Sequence, residues 1–209
     1  MARSIYRIVF LLFVVAGSVR LFAQVPATEI GVWIVDSKWT DSTLGPENLD
    51  RAGTFDEQPD FGISLNRYWS DYISTELSAQ RLNANAVLRF HSVEGEEIVQ
   101  SGDMDITAIS AMLQAHWNRG GALTPYAGAG IAYVTGGFAP DDDFNDGTID
   151  FESRTALVVA VGGDVRITRH IYFAGELKFT SWNALIEGFP GTGVEVDPLI
   201  FSAGLKTRF

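Results

Sequence analysis

An acidic stretch over residues 140–152 carries the residue types that bind metal ions most readily. Asp141, Asp143, Asn145 and Glu152 fall at the ligand spacing of an EF-hand calcium loop. The position where such a loop needs glycine is occupied by Asp146, and the surrounding pattern predicts no flanking helices. We therefore expect no dedicated metal site here, and these four residues are the only candidate ligands that the sequence suggests.

Nucleophilic catalysis is the second chemistry to consider. His91 precedes Ser92 in a polar stretch, His116 lies in a predicted strand and His170 lies in a predicted turn. None of them is spaced from a serine in a way that suggests a contact between a base and a nucleophile. The chain also has no cysteine for a thiolate site or a disulfide. We therefore expect neither an enzyme nor a bound cofactor.

The pattern that organises the rest of the chain is the stretch over residues 199–209. Its odd positions are apolar or small and end on Phe209, whereas its even positions turn polar and basic toward Lys206 and Arg208. This alternation is typical of a strand with two different faces. Because every backbone group in lipid needs a partner, such a strand is expected to close a membrane barrel by pairing with the first strand. Phe209 would mark its membrane-interface end and act as an assembly signal.

Alternating stretches separated by turns fill the chain from residue 24 onward, without an amphipathic helix of useful length. Three short turns, at residues 67–71, 118–122 and 167–170, alternate with four longer connections. The pattern predicts an all-β fold, an eight-stranded antiparallel transmembrane up-and-down β-barrel. A soluble sandwich has the same alternation, but the uneven connections and Phe209 favour the barrel. The predicted strands cover residues 28–39, 54–66, 72–81, 103–117, 123–136, 152–166, 171–180 and 199–209.

The N-terminal segment has the layout of a cleaved signal peptide. Residues 1–23 combine a basic start with a short apolar run that is too short to span a membrane as a helix. The domain is therefore expected to cover residues 24–209. Three of the 15 basic residues lie in the signal segment, whereas all 26 acidic residues lie beyond it. Such an acidic chain is not expected to bind nucleic acid.

The inward faces of the strands predict two kinds of lumen. In the first strand, Ile30, Val32, Ile34, Asp36 and Lys38 are expected to point inward, because the two charges would be costly in lipid. The half of the lumen near the short turns is expected to be polar, and either an ion-pair plug or a polar gate for solutes fits it. This polar set is Glu76, Gln114, His116, Asp164, Arg166, Glu176, Lys178, Lys206 and Arg208.

The other half of the lumen is expected to be mostly apolar, with Asp36 and Lys38 among its residues. An apolar pocket with a few polar groups is the usual form of a small-molecule site, but simple packing of the interior fits equally well. The apolar set is Met104, Ile106, Ala108, Val134, Ala156, Val158, Trp182 and Ile200.

Two stretches carry a resemblance to a known family. Residues 125–133, PYAGAGIAY, look like a strand shared by small Gram-negative outer-membrane barrels, and residues 196–209 are similar to the closing strand of the OmpW family. Gln114 and Trp117 lie in a stretch that sits where that family has a comparable strand. The sequence thus resembles the OmpW-like small eight-stranded outer-membrane barrels.

The resemblance implies a location and a function. The chain would lie in the cell outer membrane with both termini in the periplasm, as a narrow channel or binding conduit for small hydrophobic molecules. A surface adhesin or receptor, or a structural barrel that acts through its external loops, is the alternative, and a lipid A-modifying enzyme is a further one. Expected partners are outer-membrane lipid, lipopolysaccharide sharing divalent ions with the acidic loop, and the barrel-assembly machinery that binds the C-terminal strand.

Overall fold

The regular elements of the described residues are all strands. The computed structural model describes residues 27–38, 52–91, 97–118, 121–141, 149–185, 193–196 and 198–209. A helix that could span a membrane does not occur within these ranges. The strands are β1 Thr28–Lys38, β2 Ala52–Gln58, β3 Asp60–Tyr68, β4 Ile73–His91, β5 Glu97–His116, β6 Leu123–Pro140, β7 Ile149–Asp150, β8 Arg154–Arg166, β9 Ile171–Leu185, β10 Gly193–Val196 and β11 Leu199–Arg208.

These strands form one closed antiparallel barrel with eight strand positions around its wall, and we call each position a stave. Strands β2 and β3 both pair with β4 and together make a single stave. In the same way, β7 and β8 make one stave beside β6, and β10 and β11 make one stave beside β9. The ring closes where β1 pairs with β11, from Glu29 opposite Arg208 to Lys38 opposite Leu199. The predicted fold class and the predicted closing strand are therefore confirmed.

The barrel has two distinct ends. Residues 69–72, 117–122 and 167–170 connect strands at one end, and the first and last described residues lie there too. At this end Phe209 N donates to Thr28 O at 2.9 Å, and Arg208 N donates to His170 O at 2.8 Å. We call this the turn end and the opposite one the loop end.

The outer surface carries the bulky apolar side chains. On β8, Leu157, Val159, Val161 and Val165 are 45–71% exposed, while Val158, Ala160 and Asp164 between them point inward. The length of the apolar part of this strand is close to the ~9–11 residues that a transmembrane strand needs. A soluble sandwich would bury such side chains, so the observed faces exclude that alternative. Aromatic rings lie near the turn end, as at a membrane interface; they are Trp69, Tyr72, Trp117 and Phe209.

The facing predicted for β1 is wrong. Ile34, Asp36 and Lys38 point outward, whereas Trp33 and Val35 are 2% and 1% exposed in the interior. Trp33 Nε1 donates to Ser64 Oγ at 2.9 Å, so this ring has an internal partner that no outward position would provide. The two charged residues lie at the loop end of the strand, where an outward charge costs little because lipid no longer surrounds it.

A second difference concerns the connection predicted over residues 82–102. Strand β4 continues to His91 and β5 begins at Glu97, with a regular register between them. The polar outward residues of this segment, such as Asn83 and Asp103, are typical of a loop in sequence. They form strands here because the two strands pair with each other beyond the apolar belt, where the outward face can be polar.

Candidate functional site

The turn-end half of the lumen gathers most of the predicted polar residues. Every second residue of each strand points inward, and on the turn-end halves of the staves most of these positions are polar. Arg208 is partly buried, but Arg166 is exposed at the last position of β8, so its predicted place in the lumen is wrong. The buried members of the predicted set, each at most 6% exposed, are Glu76, Gln114, His116, Asp164, Glu176, Lys178 and Lys206.

Lys178 is the centre of this polar interior. Its Nζ lies 3.1 Å from Glu176 Oε1 and 4.0 Å from Glu76 Oε1, and all three side chains are at most 2% exposed. It also donates to Ser78 Oγ at 3.3 Å and to Gln80 Oε1 at 3.4 Å. One ammonium group thus bridges two carboxylates of opposite walls of the barrel.

Neighbouring side chains extend this cluster across the lumen. Gln114 Nε2 donates to Glu76 Oε2 at 3.1 Å, and Asn66 Nδ2 donates to Gln114 Oε1 at 2.7 Å. Tyr126 OH donates to Glu176 Oε2 at 3.1 Å. Asn66 is not among the residues predicted to lie in the lumen, although the alternation of β3 places it on the same face as Ser64.

A second buried ion pair lies beside the first. Lys206 Nζ is 2.9 Å from Asp164 Oδ1, and both side chains are 1% exposed. The same ammonium lies 4.6 Å from the ring centre of Tyr126 and 5.0 Å from that of Trp33. These aromatic faces add a cation–π attraction in a desolvated setting.

A third pair joins the first and last strands. Arg208 Nε donates to Glu29 Oε1 at 2.5 Å, and Tyr68 OH donates to Glu29 Oε2 at 3.1 Å. Arg208 Nη1 also donates to Tyr172 OH at 2.8 Å. The sequence does not indicate Glu29 as a lumen residue, because the two charged even positions of β1 favour the opposite inward face.

A contact between a histidine and a serine contradicts the sequence expectation. His116 Nε2 lies 2.7 Å from Ser74 Oγ. Both residues are almost fully buried, and the imidazole packs 4.8 Å from the Tyr68 ring and 5.5 Å from the Tyr126 ring. The contact therefore contributes to a filled interior. His170 is exposed in its turn, and the His91 side chain lies outside the described residues.

All eight staves contribute to this network, which therefore crosses the lumen. The interior of an eight-stranded barrel is just wide enough for side chains to fill it. The three buried ion pairs link β1 with β11, β4 with β9, and β8 with β11. In the turn-end half the side chains thus fill the space that a water-filled channel would need.

The loop-end half of the lumen is apolar. Seven of the predicted residues belong to one buried cluster, together with Trp33, Val35, Leu82 and Phe138. The side chain of Trp182 lies outside the described residues, and Asp36 and Lys38 face outward instead. The seven predicted residues are Met104, Ile106, Ala108, Val134, Ala156, Val158 and Ile200.

One acidic group in this region was not anticipated. Asp60 is 6% exposed on the inward face of β3, and its Oδ1 accepts a hydrogen bond from Phe61 N at 2.8 Å. Within the described part of the chain its Oδ2 has no hydrogen-bond partner. Among the described residues, the loop-end lumen is therefore mostly apolar, with an unsatisfied acceptor atom on Asp60.

The four candidate calcium ligands do not come together among the described residues. Asp141 is exposed, and Glu152 Oε2 accepts a hydrogen bond from Arg154 Nη2 at 3.2 Å. Asp143 and Asn145 lie outside the described ranges. Within those ranges no group of three or more acidic, histidine or cysteine side chains could hold a metal ion.

Comparison with known proteins identifies the domain. Residues 9–209 match the family described as outer membrane protein beta-barrel domain. No curated protein sequence matches the chain. The resemblance to small outer-membrane barrels that the sequence indicated is thus confirmed at the level of the domain.

Solved structures share the fold. The outer membrane protein OprG from Pseudomonas aeruginosa is similar with a TM-score of 0.64 and 16% identity, over 89% of this chain and 97% of that one. The outer membrane protein AlkL has a TM-score of 0.55 and 18% identity, over 91% and 93%. Ail, the attachment invasion locus protein of Yersinia pestis, has a TM-score of 0.55 and 12% identity, over 89% and 100%.

Proposed function

We propose a function from the premise that this chain belongs to the outer membrane protein beta-barrel domain family. The protein is an outer-membrane barrel that receives small hydrophobic molecules in the loop-end half of its lumen. The turn-end half acts as a plug that keeps water and ions from crossing. The protein is thus a binding conduit rather than an open aqueous pore.

The observation that carries the proposal is the sharp division of the lumen. Apolar residues such as Ile106, Val134 and Val158 line the loop-end half, and the pair Lys178–Glu176 begins the charged half. An apolar interior with few polar groups suits a small hydrophobic ligand. Ion pairs buried in the other half are costly to break, which favours a permanent seal.

The resemblance of the closing strand to OmpW proteins supports the same function and sets the orientation that we propose. The turn end and both termini would lie in the periplasm, and the loop end would face outside. Lipid and lipopolysaccharide would surround the apolar belt. The barrel-assembly machinery would recognise the C-terminal strand, whose Phe209 is 72% exposed.

Replacing Ala156 by Trp tests the conduit. Ala156 is 5% exposed within the apolar cluster, so the larger ring would occupy the part of the lumen that we propose as the ligand site. We expect cells that make this variant to take up hydrophobic solutes several-fold more slowly than cells with the unchanged chain. The matched control is Ala203→Trp, which adds the same ring to the lipid-facing side of β11. Unchanged uptake with a normal amount of folded A156W protein would exclude the conduit.

A second candidate function, as a surface receptor or adhesin, is favoured by one specific feature. Strands β4 and β5 continue together far past the apolar belt, up to the pair His91–Glu97. A paired ribbon of this kind offers a structured surface outside the membrane, and loop regions on a rigid scaffold commonly carry recognition.

Shortening the ribbon separates the two functions. Ala84 and Met104 lie directly opposite each other, so an Asn-Gly dipeptide in place of residues 85–103 would join them as a tight hairpin. Under the receptor function, cells with the shortened chain lose binding to host cells or matrix and keep normal uptake of hydrophobic solutes. If the shortened chain still binds host cells or matrix, the ribbon is not the binding surface.

A further inference from the structure

The outer face of the barrel changes character between two neighbouring rows of residues on β4, β5 and β6. Ala79, Ile109 and Tyr133 lie side by side across these strands and form the last apolar row. Ile109 and Tyr133 are 37% and 42% exposed toward the surroundings. In a membrane this row is therefore the upper limit of contact with acyl chains.

The next three outward rows are polar. They follow the same register and begin directly above Ile109 and Tyr133 toward the loop end. None of the three rows contains a large apolar side chain. The rows are Arg81–Thr107–Thr135, Asn83–Asp105–Gly137 and Asn85–Asp103–Ala139.

These rows line a concave surface on the outside of the barrel. The volume of this open concavity is about 680 Å³. Gln58 of β2 lies opposite Asn83 and forms one side, while Asp150 of β7 lies opposite Gly137 and forms the other. We call this surface the outer groove.

The chemistry of the outer groove suits hydroxyl groups. Arg81 donates from Nε to Asp105 Oδ1 at 3.1 Å and from Nη2 to Asp105 Oδ2 at 2.6 Å, so each holds the other in place. The amide groups of Asn83 and Asn85 can both donate and accept hydrogen bonds. The carboxylates, the amides and the guanidinium of these residues can each form hydrogen bonds with the hydroxyls of a sugar ring.

The charge of the outer groove argues against other ligands. Asp103, Asp105 and Asp150 outweigh Arg81, so a bare phosphate or sulfate would be repelled. Within the described ranges no group of three or more potential ligands could hold a metal ion. An uncharged, hydroxyl-rich molecule fits best.

We propose that the outer groove binds the uncharged sugar headgroup of a membrane glycolipid whose acyl chains pack against Ile109 and Tyr133. The groove and the lipid-facing belt form one continuous surface, since the first polar row follows the last apolar row in the strand register. A lipid seated on the belt therefore brings its headgroup to the groove without leaving the membrane. A soluble sugar lacks this anchor and should bind far more weakly.

The test uses the full mature barrel in nanodiscs of phosphatidylcholine that contain diglucosyl diacylglycerol as the probe. Native mass spectrometry after release counts the retained glycolipid, and titration of its content gives an apparent affinity. The double variant Asn85→Ala/Asp103→Ala removes two facing polar groups, and we expect about tenfold weaker retention. Thr155→Ala, an exposed residue of β8 opposite Tyr133, is the control and should bind like the unchanged chain.

Several outcomes would overturn the proposal. One is equal retention by the double variant, and another is a preference for phosphatidylglycerol over the glycolipid. Free diglucoside that binds as tightly as the lipid would show a soluble ligand instead. Heat-dependent gel migration verifies that each variant is folded, and the single variant Asn83→Ala replaces the double variant if the latter does not fold.

Discussion

Replacing Lys178 by Met is expected to lower the free energy of unfolding by about 3–5 kcal/mol. The substitution leaves Glu76 and Glu176 buried without their shared cation, and both carboxylates are 1% exposed. An uncompensated buried charge is far more costly than the loss of the pair itself. Urea titration of the refolded barrel in detergent micelles, followed by tryptophan fluorescence, measures the change.

Arg81→Met is the matched control for this experiment. It also removes a cation from a carboxylate, but Arg81 and Asp105 are 51% and 52% exposed on the outer face. Because water screens this pair, the expected loss is at most ~1 kcal/mol. Equal losses in the two variants would contradict the view that the lumen is sealed by desolvated ion pairs.

The triple variant Lys178→Met with Glu76→Gln and Glu176→Gln tests whether the loss of stability comes from unpaired charge. Removing all three charges leaves hydrogen-bonding groups of similar shape without a buried net charge. Part of the lost stability should return, since the penalty comes from unpaired charge. A triple variant that is less stable than Lys178→Met alone would assign the effect to packing instead.

Replacing Gly204 by Ala is expected to weaken the closure of the barrel. The added Cβ would overlap the carbonyl oxygen of Val32 on β1 and lie 3.0 Å from Trp33 Cε3. The obstacle is backbone of the first strand, so β1 and β11 would have to separate locally. We expect a loss of about 1–3 kcal/mol, typical of overpacking, together with slower refolding into the compact form on heat-dependent gel migration.

Gly175→Ala provides a close control for Gly204→Ala. Gly175 lies on β9 opposite Ala203, next to Gly204 in the closing strand, and an added Cβ there meets nothing within 4 Å. This variant should refold and unfold like the unchanged chain. If both alanine variants lose the same stability, glycine backbone freedom rather than the close approach of β1 and β11 would explain the result.

Much of the architecture could be predicted from the alternation of residue types. On β11 the exposed Phe201 and Leu205 and the buried Lys206 are on the faces that the sequence indicates. The same holds for the buried Glu176 and Lys178 on β9. A strand has a period of two, so local sequence is enough wherever one face is clearly apolar and the other clearly polar.

The prediction was wrong where this contrast is weak. Both faces of β1 carry large apolar residues, and two charged residues near its end suggested the opposite facing. Outside the membrane belt, as in β4 and β5 beyond Arg81, polar residues occupy the outward face and the strand looks like a loop. Arg166 has inward parity but lies at the mouth of the barrel, where water reaches it.

Local alternation and turn spacing were enough to predict the number of staves, the closing role of β11 and the polar and apolar halves of the lumen. The contacts between distant side chains depend instead on the folded barrel: Lys178 with Glu76, Arg208 with Glu29, and His116 with Ser74. These partners are 179 residues apart in the case of Glu29 and Arg208. Their contacts depend on the stagger of all eight staves when the ring closes, and that register is a property of the whole barrel rather than of any one strand.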